Sequence, residues 1–167
     1  MKQIAILVAS LGKNVELANK LQELLKEQGG EAFIINLAEL KLPLYTTAEA
    51  EENGLPQKVK ELADKLLKIN KFIFVAPEYN GTIPPAMNNT IAWLSTIGDD
   101  WRELFNGKAA VIATHSGGGG MHVLMAMRQQ LSYIGMNVLG RQLCTNFQKH
   151  LSEKSANAVI ENLLSIN

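Results

Sequence analysis

Three things are scarce in this chain of 167 residues: cysteine, excess charge and long apolar runs. The single cysteine cannot close an internal disulfide and leaves no cysteine cluster for a zinc or iron–sulfur site, so we expect a reducing compartment, the cytoplasm. Sixteen acidic residues balance sixteen basic ones, which disfavours a nucleic-acid groove and a polybasic membrane patch. No apolar run approaches the roughly 20 residues of a membrane-spanning helix, and the N-terminal segment lacks the features of a signal peptide. We therefore expect a small-molecule partner, and neither nucleic acid nor membrane.

The order of apolar segments predicts the fold class. A length of 167 residues with 47% hydrophobic residues predicts one globular domain, residues 1–167. Continuous apolar runs predict buried strands at 4–9, 32–35, 72–76 and 109–113, and a weaker fifth strand around 136–143. Amphipathic stretches between and after these runs predict five helices, with a loop at 36–55. This alternation predicts an α/β protein of three layers, a flavodoxin-like five-stranded parallel sheet of order 2-1-3-4-5 with helices on both faces.

Ligands of such a sheet bind beyond the carboxyl ends of the strands, where the strand order reverses, so three loops are candidates. The first loop reads Ser-Leu-Gly-Lys-Asn and leads into a helix. Its backbone amides, supplemented by Ser10, Lys13 and Asn14, could receive an anion such as a phosphate. An ordinary turn and helix cap would have the same sequence, and the loop is not a Walker motif because the spaced glycines and Gly-Lys-Ser/Thr are missing.

The second loop, Pro-Glu-Tyr-Asn-Gly-Thr-Ile-Pro-Pro, begins at Pro77. Its prolines make it stiff, Asn80-Gly81 predicts a turn, and Tyr79 brings an aromatic ring to the edge of the sheet. Such a loop can present amide groups to a flat polar ring at little ordering cost. Glu78 has no second acid near it in the sequence, so we expect a solvated or subunit-contact carboxylate rather than a general acid.

The third loop follows His115 and contains Ser116 and four consecutive glycines. The glycines permit close approach of a ligand to the backbone, although a flexible turn would have the same sequence. His115 and Ser116 do not form a convincing nucleophile pair, because adjacent residues of a strand point to opposite faces.

The remaining reactive residues have structural interpretations. His122 and His150 are isolated, and no group of His, Asp and Glu has the spacing of metal ligands, so no metal is expected. Cys144 has no neighbouring base in the sequence, and a packed thiol is the better interpretation than a nucleophile.

At these loops the chain resembles the NAD(P)H-dependent FMN reductase family, which includes azoreductases and quinone or chromate reductases. The resemblance runs from about Lys2 to Leu139. Its most specific part is Pro77-Glu78-Tyr79-Asn80-Gly81 with Ile83-Pro84, followed by Asn89, Ile91, Trp93, Leu94 and Ser95. A second part is Ser116-Gly117-Gly118-Gly119 with Arg128 and Leu131. The family's phosphate loop is usually Gly-Ser-x-Arg-x-x-Ser, of which this chain keeps only Ser10 and has Lys13 one position after the arginine.

The resemblance implies FMN as cofactor, NADPH or NADH as co-substrate, and hydride transfer through the flavin to flavin, quinone or azo acceptors. The implied contacts are Ser10, Lys13, Asn14 and Val15 for the phosphate end, and Pro77, Glu78, Tyr79, Asn80, Ser116, Gly117 and Gly118 for the isoalloxazine. No side chain is expected to be catalytic, because the cofactor carries the chemistry. The resemblance also implies a homodimer or homotetramer, for which Ile83, Met87 and Trp93 are candidate exposed apolar residues.

Two other functions remain open. One is a flavodoxin-like electron carrier or flavin-binding regulatory module without turnover, which the zero net charge disfavours because such carriers tend to be strongly acidic. The other is a protein that keeps the fold but binds FMN poorly, since its phosphate loop departs from the family pattern.

Overall fold

Strands and helices alternate along the chain in the computed structural model, which describes residues 3–166. The strands are β1 (Gln3–Val8), β2 (Glu31–Asn36), β3 (Lys71–Val75), β4 (Ala109–His115), β5 (Asn137–Val138) and β6 (Leu143–Thr145). The helices are α1 (Lys13–Glu27), α2 (Thr47–Asn53), α3 (Gln57–Leu66), α4 (Pro85–Leu94), α5 (Met121–Tyr133) and α6 (Glu153–Ser165), with a 3-10 turn at Trp101–Leu104. Met1, Lys2 and Asn167, the ends of the predicted domain, lie outside the described residues. Within residues 3–166, no helix is both long and apolar enough to cross a membrane.

The sheet is parallel throughout, with the order β2-β1-β3-β4-β5. The strand order predicted from the sequence is therefore confirmed. The first connection runs from β1 outward to β2, and the next crosses back to β3 on the other side of β1. This reversal opens a crevice at the carboxyl ends of β1 and β3, where open α/β sheets bind their ligands.

Two apolar layers cover the sheet. Ile4, Ile6 and Val8 of β1 pack with α1 and α6, whereas Ala5 and Leu7 pack with the layer of α3, α4 and α5. All five residues are at most 2% exposed. Burying an aliphatic side chain of this kind stabilises the fold by about 1.5–3 kcal/mol, so the alternation on β1 fixes its register between the two layers.

The predicted fifth strand is divided in two, which corrects the expectation of one strand around 136–143. β5 pairs with the start of β4, and β6, which extends to Thr145, pairs with its end. The guanidinium of Arg128, on α5, donates hydrogen bonds to the carbonyl oxygens of Val138 and Leu139, at 3.3 and 2.9 Å. Val138 is the last residue of β5, so this side chain holds the backbone where β5 ends.

The predicted loop at 36–55 contains a helix, α2, and the expectation of an unstructured connection was wrong. The helix has no buried residue, so it has no apolar periodicity to reveal it. Its start is marked instead by Thr46, whose hydroxyl accepts a hydrogen bond from the amide of Glu49 at 3.0 Å. A threonine followed three residues later by a glutamate is the sequence signature of such a cap.

The amino end of the sheet holds a buried lysine next to β4. Lys108 is 8% exposed, and its Nζ donates to the carbonyl oxygens of Leu66 and Leu67 at 2.9 and 3.3 Å. These carbonyls terminate α3, where helical partners are missing and positive charge is favourable. Burial lowers the pKa of Lys108 from its ordinary value, and Glu103 opposes this effect.

Replacing Lys108 with methionine should change how stability depends on pH. Because the pKa is lowered in the folded protein, the unfolded chain binds more protons between that pKa and the ordinary one. The free energy of unfolding of the wild type should therefore rise, relative to that of Lys108→Met, as the pH increases from the lowered pKa toward the ordinary value of 10.5. Urea unfolding of both proteins across this range measures the difference. Parallel profiles would contradict the assignment.

Candidate functional site

The candidate site lies where β1, β3 and β4 end side by side. Backbone hydrogen bonds continue the ladder one residue past the strands, from Ala9 to Val75 at 3.0 Å and from Ala76 to Ala113 at 3.2 Å. The first and second loops therefore leave the sheet at the same level, and β4 continues to His115 before the third loop begins. The loops singled out from the sequence are thus together at one edge, as the parallel topology predicts.

The first and third loops begin with the same turn. Ser10 Oγ accepts a hydrogen bond from the amide of Gly12 at 3.1 Å, and Ser116 Oγ accepts one from the amide of Gly118, also at 3.1 Å. Both serines are buried, at 8% and 3% exposure. Each hydroxyl fixes a turn of the Ser-x-Gly type after its strand, and its own hydrogen is not used in that bond.

The start of α1 is suited to an anion. No side chain in the described part of the chain caps this helix, whose N-cap residue is Gly12. The first amides of a helix have no helical partner, and they carry the positive end of its dipole. Of the predicted phosphate contacts, the amide of Val15 bonds to the Gly12 carbonyl at 2.8 Å, and the Lys13 ammonium lies 2.9 Å from the Glu16 carboxylate.

Asn14 joins the first loop to the third. Its Nδ2 donates to the His115 carbonyl at 2.8 Å, and its Oδ1 accepts from the His115 amide at 2.7 Å. The residue is 2% exposed, and it bridges 101 positions of sequence. The sequence suggested Asn14 as an anion donor, but both ends of its amide are engaged with the backbone of β4. We call this pair of hydrogen bonds the Asn14 clamp.

The second loop forms a small hairpin. Tyr79 and Thr82 exchange two backbone hydrogen bonds of 3.1 Å, and Asn80 and Gly81 between them have φ values of 51° and 74°. Two consecutive positive φ values define the tight turn that Asn-Gly favours, so the predicted turn is confirmed. Tyr79 is 50% exposed, whereas Pro77, the first residue of the loop, is buried.

Glu78 connects the second loop to α5. Its carboxylate is half-buried, and Oε2 accepts a hydrogen bond from the Val123 amide at 3.3 Å. A negative charge at the first turn of a helix is stabilised by the helix dipole. Glu78 therefore caps the helix that follows the glycine loop and is not the fully solvated carboxylate of one alternative. No local pattern in the sequence signals this cap. The other alternative, a subunit contact, stays a prediction.

The glycine loop packs tightly at one position only. Gly120 has a φ of 71°, and a Cβ there would lie 2.8 Å from Cys144 Sγ and 2.9 Å from Thr114 Cγ2. The Thr114 hydroxyl in turn donates to the Ala76 carbonyl at 2.6 Å, which ties β4 to the second loop. By contrast, a Cβ on Gly119 would meet nothing within 4 Å. Gly120, at the end of the loop, is therefore closely packed, whereas Gly119 has free space beside it.

Other reactive side chains do not form a catalytic group. Cys144 Sγ donates to the Gly119 carbonyl at 3.2 Å, and burial raises the pKa of this thiol, which disfavours a nucleophilic thiolate. Lys149 opposes that shift and Glu78 adds to it. Residues 3–166 contain no group of three or more His, Cys, Asp or Glu that could hold a metal ion.

Sequence reasoning missed one aromatic residue beside the site. Phe147 follows β6, is 68% exposed, and meets the His115 ring edge to face at a centroid distance of 5.2 Å. Its Cε2 lies 3.9 Å from where a Cβ of Gly117 would stand. The residue is 30 positions beyond the glycine loop, so only the pairing of β6 with β4 brings it there.

The predicted interface residues are mostly buried. Met87 and Trp93 are 0% exposed, and Trp93 Nε1 donates to the Pro43 carbonyl at 2.8 Å. Both face the core because α4 turns this side toward the sheet, so the expectation that they are exposed was wrong. Ile83 is partly exposed, and the strongly exposed apolar residues near the site are Leu11, Tyr79, Met121, Met125 and Phe147.

Comparison with known proteins places this geometry among flavoproteins. Residues 1–150 match the family described as NADPH-dependent FMN reductase. The quinone reductase of Escherichia coli is 32% identical over 102 residues, which are 60% of this chain and 53% of that protein. The chain thus spans about half the length of this curated relative.

Solved structures share the fold. The flavoenzyme NAD(P)H:(acceptor) oxidoreductase FerB of Paracoccus denitrificans superposes with a TM-score of 0.79 over 98% of this chain and 96% of its own, at 19% identity. A flavodoxin from the domain Archaea superposes with a TM-score of 0.64 over 98% of this chain and 99% of its own, at 11% identity. The flavodoxin-like fold predicted from the strand pattern is therefore confirmed.

Gly120→Ala should destabilise the protein by roughly 2–5 kcal/mol. Alanine strains a left-handed backbone by about 1–2 kcal/mol, and its methyl group overlaps Cys144 and Thr114 at a further cost of about 1–3 kcal/mol. Gly119→Ala is the matched control and should change the free energy of unfolding by less than about 0.5 kcal/mol. Denaturant unfolding of both variants decides the point, and equal losses would refute the packing described.

Proposed function

The chain belongs to the NADPH-dependent FMN reductase family, as its sequence predicted, and we propose that it is an FMN-dependent oxidoreductase that takes electrons from NAD(P)H. The observation that carries this proposal is the joint placement of an uncapped helix start and a glycine loop at one edge of the sheet. The acceptors that we propose are small molecules: flavins, quinones or azo compounds. We further propose that the protein acts as one domain in the cytoplasm.

The residues at this edge fit FMN. The uncapped start of α1 offers amide donors to a dianionic phosphate, with Ser10 and Lys13 beside them. The hairpin at Pro77, Glu78, Tyr79 and Asn80 and the turn at Ser116, Gly117 and Gly118 would hold the planar ring, the turn through backbone groups free of bulky side chains. Bound FMN supplies hydride acceptance from the nicotinamide and electron transfer to the acceptor.

The protein's part is to bind and orient. The glycine loop offers amide donors that can stabilise negative charge on a bound ring, and Glu78 fixes this loop by capping α5. The Asn14 clamp holds the phosphate-binding turn and the ring-binding turn in a set relation. We assign no side chain an acid–base role, because hydride transfer between two bound rings needs orientation rather than a protein acid.

We also propose a homodimer or homotetramer. Tyr79, Met121 and Met125 are 50%, 50% and 66% exposed and lie in the loop and helix that border the site. Apolar side chains of this size at one edge favour a subunit contact near the cofactor.

The proposal is tested by flavin binding and turnover. Protein reconstituted with FMN should acquire flavin absorbance and oxidise NADH or NADPH when a quinone, a flavin or an azo dye is added. The same preparation without FMN is the control. Flavin binding without consumption of either nucleotide would favour the electron carrier, and absence of both flavin binding and oxidation would remove the proposal.

Substitutions in the first loop should separate phosphate binding from positioning. Ser10→Ala should weaken FMN by roughly tenfold, the value of one charge-assisted hydrogen bond, and riboflavin by less than about twofold. Lys13→Ala should weaken FMN by only about two- to threefold, because its ammonium is exposed and paired with Glu16, and should leave riboflavin binding nearly unchanged. Asn14→Ala should weaken both ligands by roughly tenfold, because it releases the ring-binding turn as well. Fluorescence titration gives all six affinities. If Asn14→Ala spared riboflavin, Asn14 would be a phosphate ligand and not a clamp.

A further inference from the structure

A second cavity adjoins the proposed FMN site. It has a volume of about 260 Å³ and lies between α1 and the segment 146–151 that leads from β6 to α6. Its lining includes Lys13 at the start of α1, His115 at the end of β4 and Phe147 after β6. Of the lining residues, Lys13 alone is also among the FMN contacts proposed above.

The cavity offers a flat apolar surface. The Phe147 ring is 68% exposed, yet its orientation is set by the edge-to-face contact with His115, whose ring plane is inclined at 85° to it. A large exposed ring held in one orientation is a platform on which another aromatic ring can stack. Stacking of a nucleobase on such a ring is a common and sequence-tolerant mode of binding.

The cavity also offers an ammonium group. Lys20 lines it and pairs with Glu153 at 3.2 Å and with Glu23 at 3.7 Å. Every side chain in these pairs is at least 40% exposed. Exposed pairs of this kind contribute little free energy, so the Lys20 ammonium is able to turn toward a phosphate.

The imidazole at the back of the cavity has an unused acceptor. The Thr145 hydroxyl donates to the Thr114 carbonyl at 3.1 Å, so it must accept from His115 Nδ1–H, which is also 3.1 Å away. Nε2 of the neutral ring is then an acceptor, and it is buried without a partner among the described residues. A hydroxyl that enters the cavity and shifts the neighbouring side chains would gain this hydrogen bond.

We propose that this cavity binds the adenosine-phosphate half of the reduced nicotinamide dinucleotide. The purine stacks on Phe147, a phosphate meets Lys20, and a ribose hydroxyl reaches His115 Nε2. A quinone or azo acceptor has no anionic group for Lys20, whereas the dinucleotide has a base, a sugar and phosphates on one chain. This inference rests on the proposed function, because it locates the remote end of its electron donor.

The test compares two electron donors on the FMN-loaded protein: NADPH and reduced nicotinamide mononucleotide, which lacks the adenosine half. Phe147→Ala should raise the KM for NADPH about tenfold, as expected for loss of one base stack, and change the KM for the mononucleotide less than about twofold. Lys20→Gln should act in the same direction, and it carries the test if Phe147→Ala does not fold. Tyr133→Ala is the matched control. It removes an exposed ring at the C-terminal end of α5 that does not line the cavity, so it should change neither KM.

A second readout needs no turnover. AMP should bind the wild-type protein without FMN in calorimetric titration, and about tenfold more weakly to Phe147→Ala. Equal effects on both donors, no effect on either, or absence of AMP binding would overturn the inference while leaving the proposed function standing. Failure of the wild type to bind FMN or to turn over either donor would instead remove the proposed function.

Discussion

Burial of a parallel sheet on both faces confines polar chemistry to the two ends of its strands. β3 illustrates the constraint, since Phe72, Ile73, Phe74 and Val75 are all at most 1% exposed. At the amino end of the sheet, Lys71 and Lys108 donate to carbonyl oxygens of Leu164 and Leu66, which terminate α6 and α3. At the carboxyl end, the helices begin, and their amides point outward. The sheet therefore has a cation-supplied end and an anion-attracting end.

The site at that end is built from side chains that bond to backbone. Asn14 forms hydrogen bonds with both the amide and the carbonyl of His115. The Thr114 hydroxyl donates to the Ala76 carbonyl, and the Glu78 carboxylate accepts from the Val123 amide. None of these contacts creates an acid, a base or a nucleophile, but together they fix three loops relative to one another. A rigid frame with exposed amides suits a planar cofactor that brings its own chemistry.

The sequence predicted what depends on local patterns and missed what depends on distant contacts. Buried strands were visible as apolar runs, and the Asn80-Gly81 turn as a pair of residues that tolerate positive φ. The Asn14 clamp and the position of Phe147 join segments 101 and 30 residues apart, so no window along the chain contains them. The helix α2 was missed for another reason. None of its residues is buried, so it has no apolar periodicity, and its only signal in the sequence is the cap formed by Thr46 and Glu49.

The geometry of the first loop indicates how an anion could bind without the arginine of the family pattern. Where the family usually has an arginine, this chain has Gly12, and the nearby Lys13 is 55% exposed and paired with Glu16. An exposed, paired ammonium contributes little to binding, so at the proposed site most of the phosphate affinity would come from the amides at the start of α1. Glycine at the N-cap leaves those amides unobstructed, since a serine or aspartate there would occupy them with its own oxygen. The proposed site would thus rely on an open helix start where the family pattern has an arginine.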